Sequence, residues 1–165
     1  MNNKTLSALK YGIIAVFVAL AFFQSKVTAQ EGVSPSLEGV WEVTTTPRNC
    51  ATGEPIPAAA FRAMFTFHKD GTLINWYSQG TPATGHGLWR RELGRTDYSF
   101  KLRRLLRTTT VPAVFGGTQE LGGTVVLSDS GDQYTSDEYM IVYSADGVPG
   151  TPACINSVGT RFKLD

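Results

Sequence analysis

Short apolar runs separated by Gly, Asp and Pro recur along most of this chain, and they constrain its fold more than any other feature. Eight such runs follow one another, and none has a sustained helical period. We predict strands at residues 39–46, 61–68, 72–78, 87–93, 97–107, 123–128, 134–144 and 155–164. The links leave no room for crossover helices, which indicates antiparallel strands joined in chain order.

Closing these strands into a ring would remove the unpaired edges that an open sheet exposes. We therefore predict an all-β domain built as a single eight-stranded antiparallel up-and-down barrel, with interior space for one small ligand. A two-sheet β-sandwich is the alternative for the same strands. The Asp70-Gly71 pair between the second and third runs is typical of a hairpin turn and supports direct strand-to-strand connections.

The N-terminus carries the three-part pattern of a secretory signal peptide. Lys4 and Lys10 form a basic region, and residues 11–23 are rich in apolar side chains. The small residues of 27–29 then precede the expected cleavage point. This apolar stretch is shorter than the roughly 18–20 residues that span a bilayer. We therefore assign residues 1–29 to a signal peptide, 30–37 to a flexible lead-in and 38–165 to the barrel, with an uncleaved membrane anchor as the alternative.

Export implies a periplasmic or extracellular location and no transmembrane span after cleavage. Disulfides persist in those compartments, and we predict that Cys50 and Cys154 form one; two separate thiols are the alternative. Cleavage also removes the lysines at positions 4, 10 and 26, which lowers the net charge from +1 to −2. That balance argues against a nucleic-acid partner.

The first and last runs of the domain resemble the pattern of lipocalins. Gly39-Val40-Trp41 opens the first strand, and Arg161 lies in the last. The chain is thus similar to a small exported bacterial lipocalin-like (calycin) domain. The resemblance implies that Trp41 closes one end of the barrel and that Arg161 packs across it, a cation–π contact. Thr96-Asp97-Tyr98 is similar to a later lipocalin signature, but it stands between the fourth and fifth strands, so its role is not transferred.

Aromatic residues suggest a binding pocket, because inward and outward positions alternate along barrel strands. We predict that a small, mainly apolar molecule binds in the interior. The residues expected to line it are Phe65, Phe67, Trp76, Trp89, Phe100 and Tyr139. The alternative is a core filled by these same side chains, since small barrels are often packed without a cavity.

Positive charge is concentrated in the fourth and fifth runs. On the fifth, alternation places Phe100, Leu102 and Arg104 on one face. If that face is inward, Arg104 needs a partner, and a ligand carboxylate or phosphate would serve. The opposite face, with Arg103 and Arg107, would form a basic stripe that attracts polyanions. A solvated face with Arg104 paired to an acid such as Glu138 is the alternative.

Sequence motifs for catalysis or metal binding are lacking. His68 and His86 show no metal-ligand spacing, and neither a metal nor a cofactor is predicted. Binding of a small molecule is therefore the leading hypothesis. An isomerase or cyclase on the same barrel is a second, with His68, Arg104 or Glu138 as the groups to test. An envelope interaction module that uses the basic face is the third.

Overall fold

A computed structural model of the protein describes residues 35–78 and 83–164 and confirms an all-β, eight-stranded antiparallel up-and-down barrel. The strands are β1 (Gly39–Arg48), β2 (Phe61–Phe67), β3 (Thr72–Tyr77), β4 (Gly85–Arg91), β5 (Asp97–Arg107), β6 (Phe115–Leu127), β7 (Gln133–Tyr143) and β8 (Ala153–Arg161). Each strand pairs with the next in the chain. Pairing of β1 with β8 closes the ring, which excludes the open two-sheet sandwich.

Alternation of side chains explains how these strands build a core. On β3, Leu73 and Asn75 point into the barrel, whereas Ile74 and Trp76 are exposed on its outside. Helical structure in the described ranges is limited to one 3-10 turn, at 57–59, and none of it has the length and apolar character of a membrane-crossing helix.

Strand β6 begins eight residues before the start predicted at residue 123. The prediction was wrong because glycines that resemble strand breakers are used here for close backbone approach. A Cβ on Gly117 would lie 2.0 Å from the carbonyl oxygen of Tyr143, and one on Gly123 would lie 2.2 Å from that of Asp137. Gly therefore permits the tight pairing of β6 with β7.

One end of the barrel is closed around a fully buried tryptophan. The guanidinium carbon of Arg161 lies 4.3 Å from the centroid of the Trp41 ring, and the Trp41 indole donates a 2.9 Å hydrogen bond to the Leu37 carbonyl. The three nitrogens of the Arg161 guanidinium donate to the carbonyl oxygens of Gly131, Glu38 and Ser36. We call this the closed end.

Residues 35–37, which we assigned to a flexible lead-in, form part of this closure. Leu37 is fully buried. The Pro35 carbonyl accepts hydrogen bonds from Arg91 at 2.7 Å and from the Tyr98 hydroxyl at 2.9 Å. The predicted signal peptide, residues 1–29, and residues 30–34 lie outside the described residues.

The predicted disulfide between Cys50 and Cys154 is confirmed, with the two Cα atoms 5.2 Å apart. Cys50 follows β1, and Cys154 lies near the start of β8. Because β1 begins at the closed end and β8 finishes there, the bond lies at the opposite end, which we call the mouth.

Candidate functional site

Polar side chains collect inside the barrel toward the mouth. The half of the interior next to the closed end is apolar and rich in aromatic rings, whereas the half next to the mouth holds buried polar groups. We call the second region the mouth half. Its buried polar residues are Thr45, Asn75, Arg104, Gln119, Ser136, Glu138 and Ser157. This division places the candidate site in the mouth half.

Arg104 is the central residue of the mouth half, with only 5% of its surface exposed. It donates to the side-chain oxygen of Gln119 at 2.7 Å and to that of Asn75. Its guanidinium carbon lies 3.8 Å from the centroid of the Tyr77 ring, a cation–π contact. These partners hold the planar cation in one orientation.

The charge of Arg104 has no direct counter-ion among the described residues. No carboxylate oxygen there lies within 4.0 Å of its nitrogens, and its Nε atom is buried without a hydrogen-bond partner. Burial lowers the pKa of Arg104 to about 10, although Tyr77 and Glu138 act in the opposite direction. The guanidinium is still charged at neutral pH, so a cation without a direct carboxylate partner lies inside the barrel.

Glu138 is the buried carboxyl group of the mouth half. Burial raises its pKa, and the neighbouring Asp137 acts in the same direction. The hydrogen bond from Ser136, the nearby Ser157 hydroxyl and the charge of Arg104 offset this only in part. The proton is thus retained to higher pH than on an exposed glutamate, which reduces the ability of Glu138 to neutralise Arg104.

Arg104 borders two spaces of very different size. The inner space measures about 20 Å³ and is lined by Asn75, Tyr77 and Glu138 among others. That volume accommodates one water molecule but no organic ligand. The outer space is a groove of about 380 Å³ at the mouth, lined by Ala83, Thr84, His86 and residues 103–107. A small ligand therefore fits the groove, whose lining combines the inward-facing Arg104 with the outward-facing Arg103, Leu105 and Arg107 of β5.

Four of the aromatic residues predicted to line a pocket do meet inside the barrel, but as a filled core. The Phe65 ring packs 5.8 Å from Phe67 and 5.7 Å from Phe100, measured between centroids. Trp89 packs 5.8 Å from Phe67 and donates to the His68 carbonyl. These contacts occupy the space in which we expected the ligand.

Trp76 and Tyr139 were predicted to line the interior, but they lie on the outer face of the barrel. Trp76 is 45% exposed because β3 directs Leu73 and Asn75 inward. The Tyr139 ring lies over Gly122, where a Cβ would be 2.8 Å from the Tyr139 hydroxyl oxygen. Because alternate side chains of a strand point to opposite faces of the sheet, Trp76 and Tyr139 lie outside the barrel and Arg104 lies inside it.

The amide side chains that hold Arg104 were not identified from the sequence. Asn75 alternates with Leu73 and Tyr77 on one face of β3, and this period-2 pattern could have placed it inside. Gln119 lies directly opposite Arg104 in the pairing of β5 with β6. Its sequence neighbourhood is glycine-rich, so alternation gave no signal there.

The predicted basic stripe outside β5 is partly neutralised. Lys101 and Arg103 both bind Glu120, at 2.8 and 3.0 Å. Glu120 is buried beneath them; burial alone would raise its pKa, but the hydrogen bonds and charges of the two cations lower it. Two positive charges thus share one carboxylate, which leaves a local excess of positive charge.

The described residues contain no group of three or more His, Cys, Asp and Glu side chains arranged to hold a metal ion. No protein-family profile matches the sequence, and no curated protein matches it. Fold and site define the class: an eight-stranded antiparallel up-and-down β-barrel, consistent with a lipocalin-like fold, with a buried arginine near one end.

Proposed function

We propose that this protein is an exported lipocalin-like barrel that binds a small, mainly apolar molecule through an anionic head group. The head group is a carboxylate or phosphate, and Arg104 is its anchor. The observation that carries the proposal is the buried Arg104 guanidinium, which has no carboxylate within 4.0 Å among the described residues and has an unpartnered Nε. Burying an unpaired cation is costly, and an arriving anion would remove that cost.

The apolar part of the ligand lies in the groove at the mouth. The aromatic half is filled, and the inner space beside Arg104 measures only about 20 Å³. The groove measures about 380 Å³ and offers Ala83, Leu105 and Leu106 as apolar contacts. Its volume is typical of sites for small molecules. Support for export comes from the N-terminal pattern and from the disulfide.

The test uses a matched set of ligands that differ in the head group. Protein purified from an oxidising periplasm is first extracted with organic solvent and analysed by native mass spectrometry for co-purifying molecules. Calorimetric titration then compares decanoate and decyl phosphate with decanol. We expect the anions to bind at least about tenfold more tightly, because a charge-assisted hydrogen bond contributes roughly 1.5–3 kcal/mol.

Two variants test whether the preference for anionic ligands depends on the Arg104 side chain. Arg104→Met should reduce the affinity for decanoate to that for decanol, whereas Arg62→Met, on the outer face of β2, should leave it unchanged. Urea unfolding of Arg104→Met establishes that the barrel is intact. Equal binding of decanol and decanoate by the unaltered protein, or unchanged decanoate affinity in folded Arg104→Met, would refute the proposal.

A further inference from the structure

Charge is distributed very unevenly around the barrel. Residues 61–107, which contain β2 to β5, carry nine Lys and Arg and only three Asp and Glu. The remaining described residues carry three Lys and Arg and nine Asp and Glu. Because β2 to β5 are neighbours in the closed sheet, one side of the barrel is basic and the other is acidic. Such a field orients the molecule toward a negatively charged surface.

The basic side also carries an exposed apolar band. Trp76 is 45% exposed and Leu88 is 67% exposed. Met64 lies directly opposite Trp76 in the pairing of β2 with β3, and Ile74 lies on the same face of β3, two residues before Trp76. Leu88 lies diagonally across from Ile74 on β4. These four side chains therefore lie on one outer face across three strands, with His86 directly opposite Ile74 on the same face, and we call the four the outer apolar band.

Cationic side chains border the outer apolar band on both sides. Arg62 precedes Met64 on the outer face of β2. Lys101 lies opposite Leu88 in the pairing of β4 with β5, and Arg90 follows Leu88 by two residues. Leu88, Arg90 and Lys101 also line a surface depression of about 530 Å³. An apolar strip bordered by cations is the arrangement that an interfacial protein presents to anionic lipids.

We propose that the outer apolar band docks the barrel onto the surface of an anionic lipid bilayer. Trp76 and Leu88 enter the boundary between head groups and acyl chains, where an indole ring is favourably placed. Arg62, Arg90 and Lys101 then lie at the level of the lipid phosphates, which replace or share the carboxylates that these cations bind in the free protein, those of Glu42, Glu92 and Glu120. A symmetric pair of barrels would instead bring two basic sides together, and like charges would oppose it.

Vesicle co-sedimentation tests this proposal with the protein purified from an exporting host. Vesicles of phosphatidylcholine with phosphatidylglycerol are compared with vesicles of phosphatidylcholine alone, at low and at physiological salt. We expect at least about tenfold stronger binding to the anionic vesicles, because each Lys or Arg near such a surface is attracted by the lipid phosphates. Added salt should weaken binding to the anionic vesicles.

A double variant tests the band itself. Trp76→Ser with Leu88→Ser should reduce binding to anionic vesicles at least about tenfold, because the buried apolar area sets interfacial affinity. The matched control is Val126→Ser with Val158→Ser; both valines are 51% exposed on β6 and β8. It should bind as the unaltered protein does. All variants share the same N-terminal segment, so any contribution of that segment to vesicle binding is the same in each of them.

Several results would overturn the proposal. They are an absence of vesicle binding, equal binding to neutral and anionic vesicles, and an equal loss in the valine control. Self-association that disappears in the Trp76→Ser, Leu88→Ser variant, without vesicle binding, would identify a second copy as the occupant. Circular dichroism and urea unfolding verify folding, and exposed positions should change stability little.

Discussion

Arg161 and Arg104 lie near opposite ends of the same barrel, and their guanidinium groups have different hydrogen-bond partners. Both stack on an aromatic ring, Arg161 on Trp41 and Arg104 on Tyr77. At the closed end, all three guanidinium nitrogens donate to backbone carbonyls. In the mouth half, two nitrogens bind side-chain amides, and Nε has no partner in the described ranges.

This difference separates a structural cation from a candidate binding group. Backbone carbonyls are positioned by the fold, so the Arg161 contacts are present whenever the barrel is closed. The partners of Arg104 are Asn75 and Gln119, whose neutral amides orient a cation without neutralising it. We therefore expect substitutions of the groups around Arg161 to act on stability, and substitutions of Arg104 and its amide partners to act mainly on ligand affinity.

The largest effect is expected from Trp41→Ala at the closed end. Trp41 is fully buried against Arg161 and the edge of Tyr134, with centroids 4.9 Å apart for the two rings. Its removal should lower the free energy of unfolding by about 3–5 kcal/mol. Urea unfolding measures this change. Trp76→Ala makes the same substitution on the exposed face, where we expect a change within about 0.5 kcal/mol.

Loss of the disulfide should have the next largest effect, at the mouth. Cys50→Ser with Cys154→Ser opens a link between residues 104 positions apart, which should lower the free energy of unfolding by about 2–5 kcal/mol. Denaturant unfolding of oxidised protein and of the double variant measures it. A loss of ligand affinity without a loss of stability would mean instead that the bond shapes the mouth.

The strand pattern was predictable wherever alternation was strong. Strand β5 has the predicted bounds, 97–107, because apolar and charged residues alternate along it. Strand β6 was predicted too short because Gly116 and Gly117 resemble a turn. The backbone freedom of glycine suggests the end of a strand. In β6, however, glycines are needed because a side chain would prevent the close approach of β7.

The candidate site was predictable only in part, for a physical reason. Arg104 could be found because it shares a face with Phe100 and Leu102 on a single strand. Its contacts with Gln119 and Asn75 depend on which residues of other strands lie beside it. Register between strands is a long-range property, and one sequence does not determine it. The filled interior likewise depends on how rings from different strands pack.

Two glycines offer a matched test of the two ends. A Cβ on Gly159 would lie 2.2 Å from the ring of Tyr134, which packs against Trp41, so Gly159→Ala should lower the free energy of unfolding by about 1–3 kcal/mol. A Cβ on Gly85 would lie 2.8 Å from Cδ1 of Leu102, 2.9 Å from the Asn75 side-chain oxygen and 3.4 Å from Nε of Arg104.

Because the nearest atoms are the ends of side chains rather than an aromatic ring, Gly85→Ala should destabilise the fold less than Gly159→Ala does. It should nevertheless weaken decanoate binding, since it alters the hydrogen-bond partners of Arg104. Thermal denaturation and calorimetric titration of both variants provide the comparison. A larger loss of stability for Gly85→Ala than for Gly159→Ala would remove the distinction between the two ends.

The smallest predicted effect concerns Glu138. The sign of the change in stability caused by Glu138→Gln tests whether Glu138 neutralises the charge of Arg104. Burial raises the pKa of Glu138 above its ordinary value of 4.5, so the folded state holds the proton more tightly than the unfolded state. Stability should therefore fall as the pH rises through the interval between these two pKa values. Glu138→Gln removes that penalty, so its stability advantage over the unaltered protein should be smallest at low pH and should grow as the pH rises.

Urea unfolding of both proteins between about pH 4 and pH 9 gives this difference, and subtraction cancels the groups that they share. Arg104, Asp137, Ser136 and Ser157 are the neighbours that act on Glu138. If Glu138→Gln were instead less stable at high pH, an ionised Glu138 would be stabilising Arg104 across the interior. The cation would then already be neutralised within the protein, and the reason for expecting an external anion would disappear. A positive difference leaves Arg104 as an unpaired charge and an anion as its missing partner.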